Sequence, residues 1–253
     1  MLNEDFRAID WSSNGKFIII GTTNGIIYHF DLENNKLSKG FKSEFYSEEK
    51  NIKTGEYIKW IQELKISPDN NMVAFGSHCG KDKTFSKIQI LKIQKSIKEP
   101  LINYSIIDPK ITSALTHLDW GNDNDHIVCN SLAFELKYVS IDANGVVASS
   151  SCVYNNDLWY TWTCLFGFPV QGIWPPASTG YVVNYTCRSN NQKVIATGDD
   201  FSLVKLFKCP SVIEHAQYKA YGGHSSHIPK VRFTPNDQFL ISVGGNDKSV
   251  SLN

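Results

Sequence analysis

Short apolar runs, separated by polar turns, recur from one end of the chain to the other. Five of the runs are nearly continuous and rich in β-branched residues, which is typical of strands covered on both faces. They read KFIIIGT, MVAFGS, HIVCNS, KVIATG and FLISVG. Alternating apolar and polar residues flank each run, and no long segment shows the periodicity of a helix. The pattern predicts an all-β protein.

A polar turn precedes each of these runs. The turns read SSNGK, SPDNN, GNDND, RSNNQ and TPNDQ. Asn, Asp and Gly accept the backbone angles of tight hairpins, so each turn is expected to join two antiparallel strands. A second turn and a third strand follow each run, so the chain consists of repeated units of strand, turn, strand, turn and strand.

The five units align with one another. One position is occupied by Trp11, Ile66, Trp120 and Phe233, and the second strand starts six residues later. The fourth unit fits through Cys187 and Val194 if it holds one extra residue. The units span about residues 4–34, 58–94, 111–142, 181–210 and 222–253, with a long aromatic-rich insertion at 143–180. Such repeats predict a WD40-type β-propeller with about five visible blades, rather than an ordinary β-sandwich.

Charge and targeting signals exclude several classes of partner. The chain has 25 basic and 25 acidic side chains, which argues against binding driven by nucleic-acid phosphates. The start, MLNEDFRAIDW, lacks the features of a secretory signal, and no apolar run approaches the ~18 residues of a membrane span. We therefore expect neither nucleic-acid nor membrane binding. The six cysteines show no zinc-site spacing and are expected to be reduced and buried.

The last unit carries the residues of a WD-repeat hydrogen-bond network. Gly223 and His224 precede its first strand, Ser242 lies on its second strand, and Asp247 lies in the following turn. A histidine in this place bonds to both the Asp and the Ser and thereby holds the turn. The other four units lack the Gly-His pair, so we expect them to depend on packing alone.

No arrangement of residues indicates catalysis. No Ser or Cys lies in a nucleophile elbow, and no glycine-rich phosphate loop follows a strand. The spacing of His224 and His227 is too short for the helical histidine pair of zinc proteases. We predict a protein that is not an enzyme, with no catalytic, metal or cofactor site, no cofactor and no small-molecule substrate. The alternative is a propeller hydrolase, which requires carboxylates or histidines that converge around a central channel.

Four segments resemble the echinoderm microtubule-associated protein-like (EML) family. They are ITSALTHLDW at 111–120, WYTWTCLFGFPVQGIWP at 159–175, KVIATGDDFSLVKLFKCP at 193–210 and the closing stretch at 221–250. The resemblance implies that the chain corresponds to the last five blades of the second propeller and is part of a larger propeller. It also implies a cytoplasmic, cytoskeletal scaffold that binds tubulin or microtubules. The alternative is a WD40 adaptor in another complex, such as a ciliary assembly or a ubiquitin ligase.

Lysines cluster in the stretch GKDKTFSKIQILKIQKSIK, which would suit acidic tubulin. Lys87 and Lys92 fall on opposite faces of a predicted strand, so Lys81 and Lys83 are the better candidates for a partner-binding site. The alternative is a solvated surface that blocks unwanted strand pairing.

The insertion carries more aromatic residues than a solvated linker would, so we predict that it is ordered. These residues are Trp159, Tyr160, Trp162, Phe166, Phe168 and Trp174. They are expected to bury against neighbouring blades, and the alternative is an exposed docking patch.

Overall fold

The structure is a computed structural model that describes residues 5–48, 59–79, 87–96, 98–141, 147–148, 158–175 and 182–252. The described strands form five antiparallel sheets, the blades of a WD-type β-propeller, here numbered 1 to 5 in chain order. The chain folds into two compact units, Met1–Ser151 and Cys152–Asn253. No helix within the described ranges is long and apolar enough to cross a membrane.

The first unit contains blades 1 to 3. Blade 1 consists of β1 (Phe6–Trp11), β2 (Phe17–Thr22), β3 (Ile26–Asp31), β4 (Lys36–Leu37) and β5 (Phe41–Lys42), of which the last two both pair with β3. Blade 2 consists of β6 (Lys59–Ile66), β7 (Met72–Cys79), β8 (Ile88–Ile93) and β9 (Leu101–Ile107). Blade 3 consists of β10 (Leu115–Trp120), β11 (His126–Ser131), β12 (Leu136–Ser140) and β13 (Val147–Ala148).

The second unit contains blades 4 and 5 and the described part of the insertion. Blade 4 consists of β14 (Val183–Arg188), β15 (Val194–Asp199), β16 (Val204–Lys208) and β17 (Tyr218–Tyr221). Blade 5 consists of β18 (Lys230–Phe233), β19 (Leu240–Val243) and β20 (Val250–Leu252), so it has three strands among the described residues. A short 3-10 helix, Phe168–Ile173, precedes blade 4.

Blades 1 to 4 carry strands beyond the three that the sequence repeat predicts. The longest is β9, which spans Leu101–Ile107 between the predicted units. Only its first and last residues are buried, while Ile102, Tyr104 and Ile106 are exposed. The apolar side chains of this outer strand do not mark a buried face, so the pattern of apolar and polar residues did not reveal the strand.

Neighbouring blades pack through a repeated set of positions on the innermost strand. In blade 2 these are Ile61, Leu64 and Ile66, and all three are buried. The face that carries them is here called the front face, and it lies against the preceding blade. The opposite face, which receives the following blade, is here called the back face. Contacts between β1 and β6, between β6 and β10, and between β14 and β18 follow this order.

Blade 3 shows what the front-face positions do. Its three residues are Leu115, Leu118 and Trp120, each at most 1% exposed. The Trp120 indole Nε1–H donates to the Lys65 carbonyl of blade 2 at 2.8 Å. Leu115 lies over Gly76 of blade 2, where an added Cβ would stand 2.8 Å from the leucine Cδ1. The front face therefore needs a close approach to the main chain of the blade before it.

The strand register corrects the alignment of the fourth unit. In blade 4 it is Arg188 that pairs with Ile195, as Trp120 pairs with Ile127 in blade 3. Arg188, not Cys187, therefore occupies the tryptophan position, and the predicted extra residue is wrong. The sequence misled because this position is apolar in the other blades, whereas here it holds a buried arginine.

The described part of the insertion covers the front face of blade 4. The guanidinium of Arg188 donates to the Trp159 carbonyl, and its backbone N–H donates to the Trp162 carbonyl at 3.1 Å. The Thr186 hydroxyl donates to the Cys164 carbonyl at 3.1 Å. Trp159 and Trp162 are each 1% exposed, as the prediction of an ordered segment requires. The segment takes the place that a preceding blade takes elsewhere.

The remaining aromatic residues of the insertion divide into two groups. Phe166 and Trp174 are half-buried and stack with ring centroids 5.4 Å apart. Tyr160 and Phe168 are exposed, so the prediction that every aromatic is buried is wrong for these two. The buried interpretation therefore holds for most of the aromatic residues of the insertion, and the docking patch stays a prediction for Tyr160 and Phe168.

The hairpin turns between the first two strands also join neighbouring blades. Asn70 has a left-handed φ of 62°, and its side-chain carbonyl accepts from the Ser13 backbone N–H of blade 1 at 2.8 Å. Asn124 accepts from the Asp69 backbone N–H of blade 2 at 3.0 Å. In the second unit Asp237, with a φ of 57°, accepts from the Asn190 backbone N–H at 2.8 Å. We call this contact the turn latch.

Candidate functional site

The structure brings together the three predicted network residues of blade 5. His224 Nε2 lies 2.9 Å from the Ser242 hydroxyl oxygen, and His224 Nδ1 lies 3.3 Å from Asp247 Oδ2. Ser249, which the sequence analysis missed, lies closer still, with its hydroxyl oxygen 2.8 Å from Nδ1. The His224 side chain is 3% exposed. An Asp-x-Ser spacing in the turn is the signal that could have revealed Ser249.

Main-chain donors fix the Asp247 carboxylate. The Ser249 backbone N–H donates to Oδ1 at 3.1 Å, and the Ser225 backbone N–H donates to Oδ2 at 3.0 Å. These bonds, the Ser249 one foremost, lower the pKa of Asp247 to about 2, although partial burial opposes them. The carboxylate therefore stays ionised and holds the loop before β18 to the turn after β19.

Gly244 leaves the space that this carboxylate occupies. A Cβ at Gly244 would stand 1.8 Å from Asp247 Oδ1. No side chain tolerates such an approach, so the network needs glycine at this point of the turn. The arrangement offers hydrogen bonds within the blade, and the Ser242 hydroxyl beside the histidine is fully buried, so it is not open to a substrate. We propose a structural role for His224, Ser242 and Asp247.

The expectation that the other blades depend on packing alone is wrong for three of them. In blade 3 the Glu135 carboxylate accepts from the Thr112 backbone N–H at 2.8 Å and from the Ser131 hydroxyl at 2.6 Å. It thus joins the loop before β10 to the turn after β11, as the histidine network does in blade 5. Burial raises the pKa of Glu135, but the Ser131 and Thr112 bonds outweigh it and the pKa is lowered.

Blades 1 and 4 use other polar contacts at the same turn. In blade 1 the Thr22 hydroxyl donates to Asn24 Oδ1 at 2.6 Å and accepts from the Ile26 backbone N–H at 2.9 Å. In blade 4 the buried Asp199 carboxylate accepts from the Leu203 backbone N–H and pairs with Lys205 at 2.7 Å. Each of these blades closes its turn with a different set of side chains, so no single motif marks the contact in the sequence.

Lys81 and Lys83 lie outside the described residues. The four lysines of the same stretch that the structure describes, Lys87, Lys92, Lys95 and Lys98, are all exposed. Lys92 lies over the Tyr104 ring, with Nζ 4.0 Å from its centroid.

The β8 strand divides this lysine stretch into two groups. Lys87 comes directly before β8, whereas Lys95 and Lys98 follow it. Six residues of strand span about 17–20 Å, so the two groups lie at opposite rims of the blade. Lys87 and the lysines after β8 therefore cannot serve one small patch.

Two other features offer little chemistry. A groove of about 430 Å³ lies between blades 1 and 2, and its lining mixes lysines with acidic and amide side chains. Within the described ranges no group of three or more His, Cys, Asp or Glu residues could hold a metal ion. The four cysteines whose side chains are described are buried, namely Cys129, Cys164, Cys187 and Cys209. Burial raises the pKa of Cys129 to about 12, which makes it unreactive.

Comparison with solved structures shows the fold alone. A β-propeller domain from Myceliophteria thermophila matches 96% of this chain and 65% of its own chain, with a TM-score of 0.53 and 11% identity. A chain of a mitotic checkpoint complex matches 97% of this chain and 59% of its own, with a TM-score of 0.50 and 11% identity.

Comparison with protein sequences goes further. Echinoderm microtubule-associated protein-like 4 from Homo sapiens is 33% identical over 99% of this chain and 23% of its own length. Echinoderm microtubule-associated protein-like 3 from Mus musculus is 30% identical over 98% of this chain and 25% of its own length. The chain thus spans about a quarter of these relatives. The family model for the echinoderm microtubule-associated protein second beta-propeller matches residues 1–252. The chain therefore belongs to the family of EML second β-propellers.

Proposed function

We propose that this chain is a non-enzymatic scaffold of the cytoplasmic cytoskeleton that binds tubulin or microtubules. The observation that carries the proposal is the match of residues 1–252 to the second propeller of echinoderm microtubule-associated proteins. The relatives that share this region are named as microtubule-associated proteins. Within each of the two units the blades supply a rigid platform, because neighbouring blades pack through buried side chains and main-chain hydrogen bonds.

The contact with tubulin is proposed to use Lys81 and Lys83. Tubulin is acidic, so this pair of lysines would gain encounter rate and affinity from long-range attraction. Exposure of nearby Lys87, directly before β8, supports a solvated basic surface in this part of the sequence. The binding should weaken with salt, because the Debye length falls from about 10 Å at 0.1 M to about 3 Å at 1 M.

The test compares two charge reversals in the same lysine stretch. The variant Lys81→Glu/Lys83→Glu should lower tubulin affinity about tenfold at low salt and flatten the salt dependence. The matched control, Lys95→Glu/Lys98→Glu, makes the same charge change after β8 and should stay within about twofold of the parent chain. Both are measured by binding of soluble tubulin and by co-sedimentation with microtubules.

Two outcomes would contradict these statements separately. Equal losses in the two variants would show that net charge, and not Lys81 and Lys83 in particular, governs binding. No binding of the parent chain to tubulin or microtubules at any salt would overturn the proposed function. In that case an unbiased pull-down would identify the complex that a WD40 adaptor serves.

A further inference from the structure

The outer strand of blade 2 lacks the usual protection of a sheet edge. β9 runs over seven residues, Leu101–Ile107, and contains neither a charged residue nor a proline. By comparison, β4 and β5 of blade 1 have two residues each, and β17 of blade 4 has four and carries Lys219. Short strands, charges and prolines are means by which sheets prevent pairing with other chains. Among the described outer strands, β9 is therefore the one best suited to accept a further strand.

The outer edge of β9 lies apart from the contacts between blades. The sheet of blade 2 has the order β6-β7-β8-β9, and among the described strands β9 pairs only with β8. Blade 2 packs on its neighbours through the faces of its sheet. Leu101 joins the apolar cluster shared with blade 1, and Ile107 joins the one shared with blade 3. The edge is therefore not a place where one blade continues into the next.

Apolar side chains border this edge. Ile102, Tyr104 and Ile106 are 41%, 44% and 38% exposed. Ile102 pairs with Lys92 of β8, and the Lys92 Nζ lies 4.0 Å from the centroid of the Tyr104 ring, so these three side chains share one face of the sheet. The register leaves Tyr104 without a partner on β8, and a β-bulge of this kind redirects a side chain at a sheet edge. The edge therefore presents main-chain groups with an isoleucine and a tyrosine beside them.

The surroundings of β9 are basic, although the strand itself is uncharged. Residues 87–110 include five lysines and two acids, all of them exposed. Lys95 and Lys98 come before β9 and Lys110 comes after it, whereas Lys92 lies beside it. A second copy of the same edge would bring like charges together, which disfavours pairing between copies. An acidic strand would instead meet lysines along its whole length.

We propose that β9 binds an extended acidic peptide of a partner protein, which adds one more strand to the four of blade 2. Strand addition gains affinity from main-chain hydrogen bonds and specificity from alternate side chains. Apolar side chains of the peptide pack on Ile102 and Tyr104, and its carboxylates lie near Lys92 and near the lysines at either end. Seven residues of strand span about 23 Å, so only an extended ligand reaches both ends. The proposal does not involve Lys81 and Lys83 and stands whether or not those residues bind tubulin.

The test uses a fluorescent synthetic peptide of about nine residues, with Val and Thr alternating in its middle and Glu at both ends. Fluorescence anisotropy at low salt should show binding to the parent chain. Tyr104→Glu should raise the dissociation constant at least about tenfold, because it places a charge of the peptide's own sign beside the edge. The matched control is Tyr221→Glu on β17, where the tyrosine is 43% exposed, and it should bind the peptide like the parent. Circular dichroism checks that both variants are folded.

Two further peptides separate strand addition from simple attraction between charges. N-methylation of alternate amides removes the donors along one edge of the peptide and keeps those along the other edge. Methylation of one set should weaken binding to the parent chain at least about tenfold, whereas methylation of the other set should leave it within about threefold. Equal affinity of the two methylated peptides would overturn the proposal, because it would show attraction of charge alone. No binding of the unmethylated peptide at low salt, or an unchanged affinity in Tyr104→Glu, would also overturn it.

Discussion

Replacement of Trp120 by phenylalanine tests the packing of one blade on the next. The substitution removes the indole N–H that donates to the Lys65 carbonyl at 2.8 Å. An unsatisfied buried carbonyl costs about 1–3 kcal/mol. The lost ring volume at a position 1% exposed adds about 1 kcal/mol for the cavity. We therefore expect Trp120→Phe to lower the free energy of unfolding by about 2–4 kcal/mol.

The matched control is Trp11→Phe. Trp11 has the same register position on the innermost strand of its blade, but it is 54% exposed. The change in stability should therefore stay within about 0.5 kcal/mol. The assay is urea unfolding at low protein concentration. Far-UV circular dichroism monitors the unfolding, because each variant lacks one of the six tryptophans and its fluorescence is not comparable with that of the parent chain. Equal shifts in the two variants, or a shift below about 1 kcal/mol for Trp120→Phe, would refute the reasoning.

Three further predictions concern the turns and the insertion. The lowered pKa of Asp247 stabilises the folded state above the ordinary aspartate pKa of 3.8, and this stability is lost as the pH falls through about 2; Asp247→Asn should flatten the dependence of the melting temperature on pH in that window, and an unchanged profile would contradict the network. Asn70→Ala should destabilise the chain by about 1–2 kcal/mol in urea unfolding, because alanine resists the left-handed φ and the turn latch is lost. Asn70→Gly also loses the latch but accepts the left-handed φ, so it should recover part of the lost stability. Equal stability of the parent and both variants would refute the latch. Limited proteolysis should spare 158–175 in the parent and cut it in Trp162→Ala, which loses a buried tryptophan worth about 3–5 kcal/mol; rapid cutting of the parent would contradict the buried segment.

The inner strands of every blade were predictable from the sequence, whereas the outer strands were not. Runs such as the one around Ile127 are covered on both faces, so consecutive residues are apolar whichever face they lie on. By contrast β9 and β17 are largely exposed, so burial marks neither Leu101–Ile107 nor Tyr218–Tyr221 in the sequence. Pattern analysis detects burial, and it detects strands only where burial and strand coincide.

The hydrogen-bond network was predictable in part for a related reason. His224 and Asp247 belong to a WD-repeat motif, so the sequence alone placed them together. Glu135 belongs to no such motif, although its partner Ser131 is four residues away, and its other partner Thr112 meets it only after blade 3 has folded. Arg188 was misplaced because a buried arginine satisfied by main-chain carbonyls occupies a position that is apolar elsewhere. Tertiary partners decide such positions, and a single sequence does not display them.

The turn latch has a consequence for which substitutions the blade junctions tolerate over evolution. Its donors are main-chain N–H groups, those of Ser13, Asp69 and Asn190, so any residue except proline preserves them. Its acceptors must combine a side-chain oxygen with a left-handed backbone, and only Asn and Asp do so readily. The two halves of one contact are therefore under unequal selection. Relatives should vary freely at the donor positions Ser13 and Asn190 and keep Asn or Asp at the positions of Asn70 and Asp237.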